Sequence, residues 1–559
     1  MLLFSFRVLF ALSISLFYAC TLIAQDYTYQ WAIQGSQSGD FIDPVDVSSD
    51  NAGNSYVLFQ FSEDVSFGSV TLQALGSNDI GVVKFNADGV AQWAANAGSA
   101  GNDRGNALAT SAAGEVYVTG YISGDAAFGI VPPVQANHND GSTEFFVGKL
   151  SVNGQWLWVR NQQGLAIAEG KDIALDPSGN VVVGGSFYGA DLELGTEVLS
   201  ALEQLPFVAK YSSSGGIQWA FSPQTDWGAT LAALACGQDG SVYFCGSFGT
   251  SELPFVELTA GNVTLTNVGD DENFITASDV YVLSLNASGV PQWGKNFGAL
   301  YYECYASDIT VGAGGQVYVS GFYQDSLTNY EGIVFEAIGG SEDYDAFLGG
   351  ISSAGEWLWL QQMGTAGYDL GQTRLSASPN GVPYISVSGL DGSEYALGAT
   401  PFTPDAGNSS LLARINTDGS LLWAFSTNEI YGFCAPVENQ FRITGEFSGS
   451  ATFGDINLSA TGGASNDVYL CKVQYGPDIP QSMAQSGIEI SVYPNPASDV
   501  ININAKLDIL SVSLIDVSGR EVLNTADKSI SLKHLSPGTY LLKFQARSGE
   551  IFSKPLIKW

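Results

Sequence analysis

The chain has 559 residues with 20 basic against 56 acidic side chains, a formal net charge of −36, 66 glycines and 12 % aromatics. Such an acidic balance argues against nucleic acid and anionic membrane partners and suits solubility, cations or basic partners. The length alone allows several domains, an expectation that an internal repeat overrides.

The N-terminal stretch MLLFSFRVLFALSISLFYACTLIAQ holds one Arg, an apolar run from Val8 to Tyr18 and a small residue, Ala24, before Gln25. It reads as a secretory signal peptide, residues 1–24. Lipoprotein processing at Cys20 is disfavoured by Phe17 and Tyr18 just upstream. Nothing later is apolar and long enough to span a bilayer, so the mature chain is expected to be secreted or on the cell surface. Five cysteines follow the signal, Cys236, Cys245, Cys304, Cys434 and Cys471. An odd number without CxxC spacing argues against a disulfide framework or a zinc site, and a Cys236–Cys245 bridge within one hairpin stays open.

From residue 25 to 475 one phrase recurs, a Gly four positions before a Trp. It ends at Trp93, Trp158, Trp219, Trp293, Trp359 and Trp423, and Trp31 is a first copy without its lead-in. Each repeat can be laid out from its Trp. A loop leads to a short strand such as DITVG (308–312), then a turn and the strongest strand, such as SYVLFQF (55–61) or VYVSGF (317–322). A variable excursion leads to a third strand, such as IGVVKF (80–85) or VYLCKV (468–473), and an NADG-type turn opens the Trp strand. Four antiparallel strands per repeat, seven times over, predict an all-β, seven-bladed propeller. Because the chain begins on a Trp strand and leaves the repeats on a third strand, the N-terminal strand is expected to close the last blade.

The unit VYVxGxxSG…DxFVxKL…GxxxW, best seen in 116–158 and 441–473, resembles the seven-bladed propeller repeats of secreted bacterial proteins. The GxxxW phrase is also similar to quinoprotein-type propellers, whose repeat is shorter. Residues 476–488, GPDIPQSMAQSGI, read as a linker. The segment 489–559 alternates apolar residues with Gly-centred turns and is expected to be a small β-sandwich-like module. It resembles the type A C-terminal sorting domain of the type IX secretion system of Bacteroidota through Tyr493, Pro494, Asn495, Pro496, Asp499, Asp516, Gly519, Arg520 and the LSPGTYLL run that contains Gly538 and Tyr540. The resemblance implies export through the type IX machinery, removal of this module, and release or attachment to surface lipopolysaccharide.

Catalytic chemistry is sparse. The two histidines, His138 and His534, cannot build a Ser-His-Asp set, and neither HExxH nor GxSxG occurs. Paired carboxylates remain open for a glycoside hydrolase or lyase. One periodic feature stands out. An acidic residue follows every Trp strand: Asp40, Asp103, Glu169, Asp226, Glu303, Asp369 and Glu429. In a closed ring these would encircle the opening as candidate ligands for a basic group or for Ca²⁺, the one cofactor considered. The competing reading, the stronger one, is that each carboxylate accepts backbone N–H groups of its own turn. Phe41, Trp227, Tyr301, Tyr302, Tyr305, Tyr368 and Tyr431 share these loops, where they suit sugar rings, a protein partner or packing between blades. The sequence therefore points to a non-enzymatic binding or adhesion scaffold for a glycan or protein. A polysaccharide hydrolase or lyase and a structural surface protein are the alternatives.

Overall fold

The computed structural model describes residues 27–37, 42–138, 140–249, 256–267, 278–298, 303–329, 334–338, 340, 343–365, 372–390, 393–398, 400–405, 408–437, 439–460, 467–475, 490–493, 499–505, 509–516, 521–536, 538–546 and 551–558. Two compact units divide the chain, Met1–Gly476 and Pro477–Trp559. Both are built from strands.

The first unit is all-β and propeller-like. Its repeats are four-stranded antiparallel meanders, named here units 1 to 6 for residues 42–97, 104–161, 167–221, 229–298, 304–364 and 373–427. In each, the second and third strands are buried almost throughout, as the Val, Tyr and Phe runs of Ser55–Phe61, Val116–Ile122 and Val242–Phe248 require. A seventh meander, unit 7, combines Gly432–Val437, Gln440–Phe447 and Asp467–Tyr475 with the N-terminal strand Tyr27–Gln37. That strand runs antiparallel to Asp467–Tyr475, with Tyr27 opposite Tyr475 and Gly35 opposite Val468.

The recurring Trp has a fixed job. Its indole Nε1 donates to a carbonyl in the hairpin turn of the following unit: Trp31 to Ala87, Trp93 to Val152, Trp158 to Ser213, Trp219 to Ala287, Trp293 to Ser353 and Trp359 to Thr417, at 2.8–3.2 Å. The motif Gly of that same turn lies under the ring. A Cβ placed on Gly154, whose φ is +78°, would come within 2.6 Å of Trp93. GxxxW thus encodes two halves of two different contacts, the Gly serving the preceding repeat and the Trp the next.

The variable excursions also reach backward. Each carries a short hairpin whose first strand meets the end of the outer strand of the preceding unit. Ser66 pairs with Ser36, Thr328 with Gly298 and Leu397 with Met363. Single bridges do the same at Ala127 with Gly98, Glu193 with Gln163 and Thr259 with Gln224, and Asn428 donates to the Thr452 carbonyl at 3.1 Å. Neighbouring units are therefore linked by backbone as well as by side-chain packing.

The second unit has a three-stranded sheet, Ile490–Tyr493, Val500–Ala505 and Ser529–Ser531, and a four-stranded sheet ordered Glu521–Thr525, Ile509–Asp516, Gly538–Ala546 and Ile551–Lys558. Ile501, Ile503, Val512, Leu514, Ile530, Leu532, Leu542 and Phe544 form its core. Among the described residues no helix is long and apolar enough to cross a membrane. The five described cysteines are all free, including Cys236 and Cys245.

Candidate functional site: an axial cavity and its charged mouth

The first strands of the meanders, five to nine residues long, touch one another in cyclic order. Together they line a single cavity of about 640 Å³. In units 1 to 5 the strand carries a one-residue bulge, at Val45, Asn106, Lys171, Ala232 and Ser307. A bulge re-aims the residues beside it. Here the next residue is Asp46, Ala107, Asp172, Ala233 or Asp308, so carboxylates alternate with alanines around the first five positions.

Each of these three aspartates ties two units together. Asp46 accepts the N–H of Val47 at 2.8 Å and, from the next unit, that of Leu108 at 3.0 Å. Asp172 accepts from Ile173 and Leu234, both at 2.7 Å. Asp308 does the same with Ile309 and Leu375, also at 2.7 Å. Enclosure by protein raises all three carboxyls above their ordinary range, although each borders the cavity. Asp172 is pushed up to about 7, by burial first and then by the charges of Asp308 and Asp46. Asp308 is pushed up to about 6 by burial, with Arg374 opposing. Asp46 also rises through burial, and Arg374 again opposes.

A charged belt gathers where several of the first strands begin, just ahead of their cavity-lining residues. Arg104 pairs with Asp43 at 3.2 Å and lies 3.4 Å from Gln60. Glu169 pairs with Lys171 at 2.7 Å, and Tyr121 feels both Arg104 and Glu169. Tyr431 donates to Glu446 at 3.0 Å. Burial raises the carboxyl of Glu429, and Glu446 raises it further; Asp43 is raised by burial, eased by Arg104 and raised again by Glu446. On another arc Tyr305 donates to Glu303.

The seven periodic acidic residues therefore have different fates. Asp103 is fully buried and accepts from Ser99 N, Ser99 Oγ and Ser123 N, so its carboxylate fixes the loop. Glu169, Glu303 and Glu429 join the belt through Lys171, Tyr305 and Glu446. Asp226 is exposed beside the exposed Trp227. Asp40, Phe41, Tyr301, Tyr302, Tyr368 and Asp369 lie outside the described residues. Among the described residues no group of three or more His, Cys, Asp or Glu is placed to hold a metal ion. Sequence reading missed the axial aspartates. Their signal was the Asp-Val or Asp-Ile pair in VDVSS, KDIALD and SDITV, present in alternate repeats only.

In the second unit, Tyr493 lies on Ile490–Tyr493 and Gly538 and Tyr540 on Gly538–Ala546; Tyr540 donates to the Ser536 carbonyl at 2.8 Å. Pro494, Asn495, Pro496, Gly519 and Arg520 lie outside the described residues. Residues 491–558 match the secretion system C-terminal sorting domain. The chain carries the type IX export signal. That signal directs it to the cell surface or the extracellular space and implies contact with the secretion machinery.

The chain is similar to two longer proteins. The regulatory protein FlaEY of Caulobacter vibrioides is 24 % identical over 302 residues, 50 % of this chain and 29 % of that protein. The uncharacterized WD repeat-containing protein L264 of Acanthamoeba polyphaga mimivirus is 24 % identical over 286 residues, 44 % of this chain and 20 % of that protein. The chain thus spans less than a third of the curated relatives it matches. Among solved structures, a protein provisionally assigned as a gluconolactonase aligns at 12 % identity, TM-score 0.26, over 66 % of this chain and 90 % of that one. An extracellular domain provisionally assigned to a hybrid two-component system of B. thetaiotaomicron aligns at 9 % identity, TM-score 0.15, over 95 % and 99 %.

Proposed function

We propose that residues 25–475 form a closed seven-bladed propeller, joined through a linker at 476–488 to the sorting domain at 489–559, and that the propeller is an extracellular binding scaffold for a glycan or protein. Closure is supported by contacts of unit 7 with both of its neighbours, units 6 and 1. Tyr27 stacks on Phe425 at 4.4 Å, and the Tyr29 hydroxyl lies 2.7 Å from that of Thr427. From unit 7, the buried Arg442 donates to Ser55 Oγ at 2.9 Å and to the Gly53 carbonyl at 3.1 Å in unit 1.

The observation that carries the binding reading is the belt itself. Asp43, Arg104, Tyr121, Glu169, Tyr431 and Glu446 come from units 1, 2, 3 and 7 and are electrostatically linked at one end of the cavity. Convergent polar groups with tyrosine rings at a concave mouth suit a sugar or a polar protein segment. A second reading, glycan cleavage, draws on Glu429, whose carboxyl is raised by burial first and then by the charge of Glu446, the residue to which Tyr431 donates. A glycan array with the full chain, followed by a product assay on any bound glycan, tests both. Binding that falls tenfold or more in Arg104→Ala, with no product, supports the scaffold. New reducing or unsaturated ends, lost in Glu446→Gln, support the enzyme. An array with no glycan bound, together with no protein captured, leaves the structural reading and overturns both.

A further inference from the structure

Five of the seven units open their third strand on a carboxylate, Asp79, Glu144, Asp279, Asp345 or Asp467, each opposite the end of the second strand. All five are fully buried. They gather donors from the end of the variable excursion and from the outer strand. Asp79 takes the N–H groups of Leu75 and Gly76 at 2.5 and 3.0 Å, and Asp345 takes that of Ile338 at 2.8 Å and Gln362 Nε2 at 2.6 Å. None of these donors titrates.

Unit 2 differs twice. Its acid is the longer Glu144, and one of its donors is His138, the single histidine in residues 25–475. Glu144 accepts the N–H groups of Asn137 and His138 and the Asn137 side-chain amide at 2.5–2.8 Å. His138 Nδ1 lies 3.1 Å from the same carboxylate, and its Nε2 lies 3.2 Å from the Leu165 carbonyl. The ring is largely covered, with its side chain 11 % exposed.

Both ring nitrogens therefore face acceptors. A neutral imidazole has one N–H and one lone pair, so it donates to Glu144 or to Leu165 and sets its lone pair against the other. Only the imidazolium donates to both, and its bond to the carboxylate is then charge-assisted. The charges around the ring share one sign. Asp140, on the same loop, has its carboxyl held low by the Ser142 side chain and N–H and, in smaller part, by His138. The facing loop, 162–166, holds no charged residue. Beyond it Glu193 and the backbone of Asp191 lie against Gly164. Lys171, on the strand that follows, is engaged by Glu169 at 2.7 Å.

The carbonyl that His138 meets is thinly held otherwise. The Leu165 side chain is 64 % exposed, so packing does little to fix it. The loop runs directly into Ile167–Leu175, which carries Glu169 and Lys171 of the belt.

We propose that His138 is a proton-operated latch between the excursion of unit 2 and the loop 162–166. Protonated, it bridges Glu144 and Leu165 and holds the loop that leads into the belt. Neutral, it keeps one contact and gives up the other. Histidine exchanges its proton between mildly acidic and mildly basic surroundings, so both states lie within reach of ordinary extracellular pH. The unit 3 side of the mouth is thus ordered in acid and loosened above neutrality. Other contacts across this joint, from Asn137 to the Gln162 carbonyl and from the Ala168 N–H to the Thr143 carbonyl, do not titrate and keep the two units joined in both states. The latch does not depend on whether the mouth takes a glycan or a protein.

Amide hydrogen exchange of the full chain at about pH 5.5 and about pH 8, each rate divided by that of unstructured peptide at the same pH, reads the latch. The relevant peptides cover 162–167, in which the Gln163 N–H is bonded to the Glu193 carbonyl at 2.8 Å. Their protection is expected to be at least about tenfold greater at the lower pH. His138→Gln is expected to remove that difference with the circular dichroism unchanged. Asp172 and Asp308 also titrate in this range, but both are intact in the variant and cannot account for the loss. A second measurement leaves the latch untouched. In the full chain labelled with heavy nitrogen at histidine and carrying His534→Gln, nuclear magnetic resonance is expected to show the His138 ring passing from imidazolium to neutral between the two pH values. The proposal is overturned if protection over 162–167 is equal at both pH values in the parent, if folded His138→Gln keeps the difference, or if the ring stays in one protonation state throughout.

Discussion

Tyr475 stacks on Trp423 with ring centroids 3.7 Å apart and planes 15° from parallel. The other six repeat tryptophans each cap a hairpin turn of the following unit, but after Trp423 the chain has no such turn to offer, because Asp467–Tyr475 is followed in space by the N-terminal strand. A tyrosine ring fills the place where a glycine turn would sit.

Replacing that ring should open the joint. Tyr475 is 5 % exposed, and removing a buried aromatic costs about 3 kcal/mol in the usual range for such truncations. Tyr475→Ala is expected to lower the denaturation midpoint of the repeat unit while Tyr475→Phe leaves it nearly unchanged. Removal of residues 26–35 should be more severe, because it also strips the backbone partner from Asp467–Tyr475. Urea unfolding followed by tryptophan fluorescence reads all three, and an unaltered midpoint in the truncation would refute the role assigned to the strand.

The motif glycine can be separated from an ordinary turn glycine. Gly154 and Gly179 have nearly equal φ values, +78° and +77°, but only Gly154 sits against a tryptophan. Gly179→Ala should cost about 1 kcal/mol for the left-handed backbone alone. Gly154→Ala adds a clash with Trp93 and should cost roughly twice that. Equal losses in thermal melts would mean that the Gly–Trp contact is not what fixes the motif.

The axial carboxyls set a pH dependence of stability. With Asp172 at about 7 and Asp308 at about 6 in the folded chain, the native state holds protons that the unfolded chain releases near pH 4. Their stabilising contribution is present in full below that value and is lost as the pH rises through 6 to 7. The melting temperature should therefore be higher at pH 5 than at pH 8, apart from the effect of other groups. Asp172→Asn is expected to flatten that slope, and an unchanged slope would show that the carboxyl titrates elsewhere.

The periodic loop acids should divide by burial. Asp103→Asn removes charge from an acceptor of three hydrogen bonds and should cost about 2 kcal/mol. Asp226→Ala, on an exposed residue, should stay within about 0.5 kcal/mol of the parent. Differential scanning calorimetry of the two variants distinguishes the turn-fixing acid from the one free to meet a ligand.

Local pattern carried much of this architecture into the sequence. Gly89, Gly154 and Gly215, each four residues before a Trp, reveal the repeat because a turn and a strand edge must be rebuilt each time. Val-Tyr-Val runs mark buried strands for the same reason. What the pattern hides is anything that depends on how repeats face one another. Asp103 and Glu169 look alike after their Trp strands, yet the bulge register makes Glu169 the counterpart of Arg104, so one acid is sealed under Ser99 and Ser123 and the other meets Lys171 at the mouth. Asp46, Asp172 and Asp308 were equally hidden. Each looks like one more strand residue until a bulge turns it toward an axis that no single repeat contains. Arg374 has no counterpart in the other units, so no period could announce it.

The pairing of Tyr27–Gln37 with Asp467–Tyr475 has an implication for the order in which the protein is made. The strand Tyr27–Gln37 is made long before Asp467–Tyr475 and waits for it before it gains that partner, a very non-local contact that slows completion. The export signal at 491–558 lies beyond that partner in the chain. Any polypeptide that displays the signal has therefore already been supplied with the residues that finish the repeat unit, and a chain cut short before residue 467 lacks both. Serial position thus acts as a completeness check, withholding the address from unfinished copies.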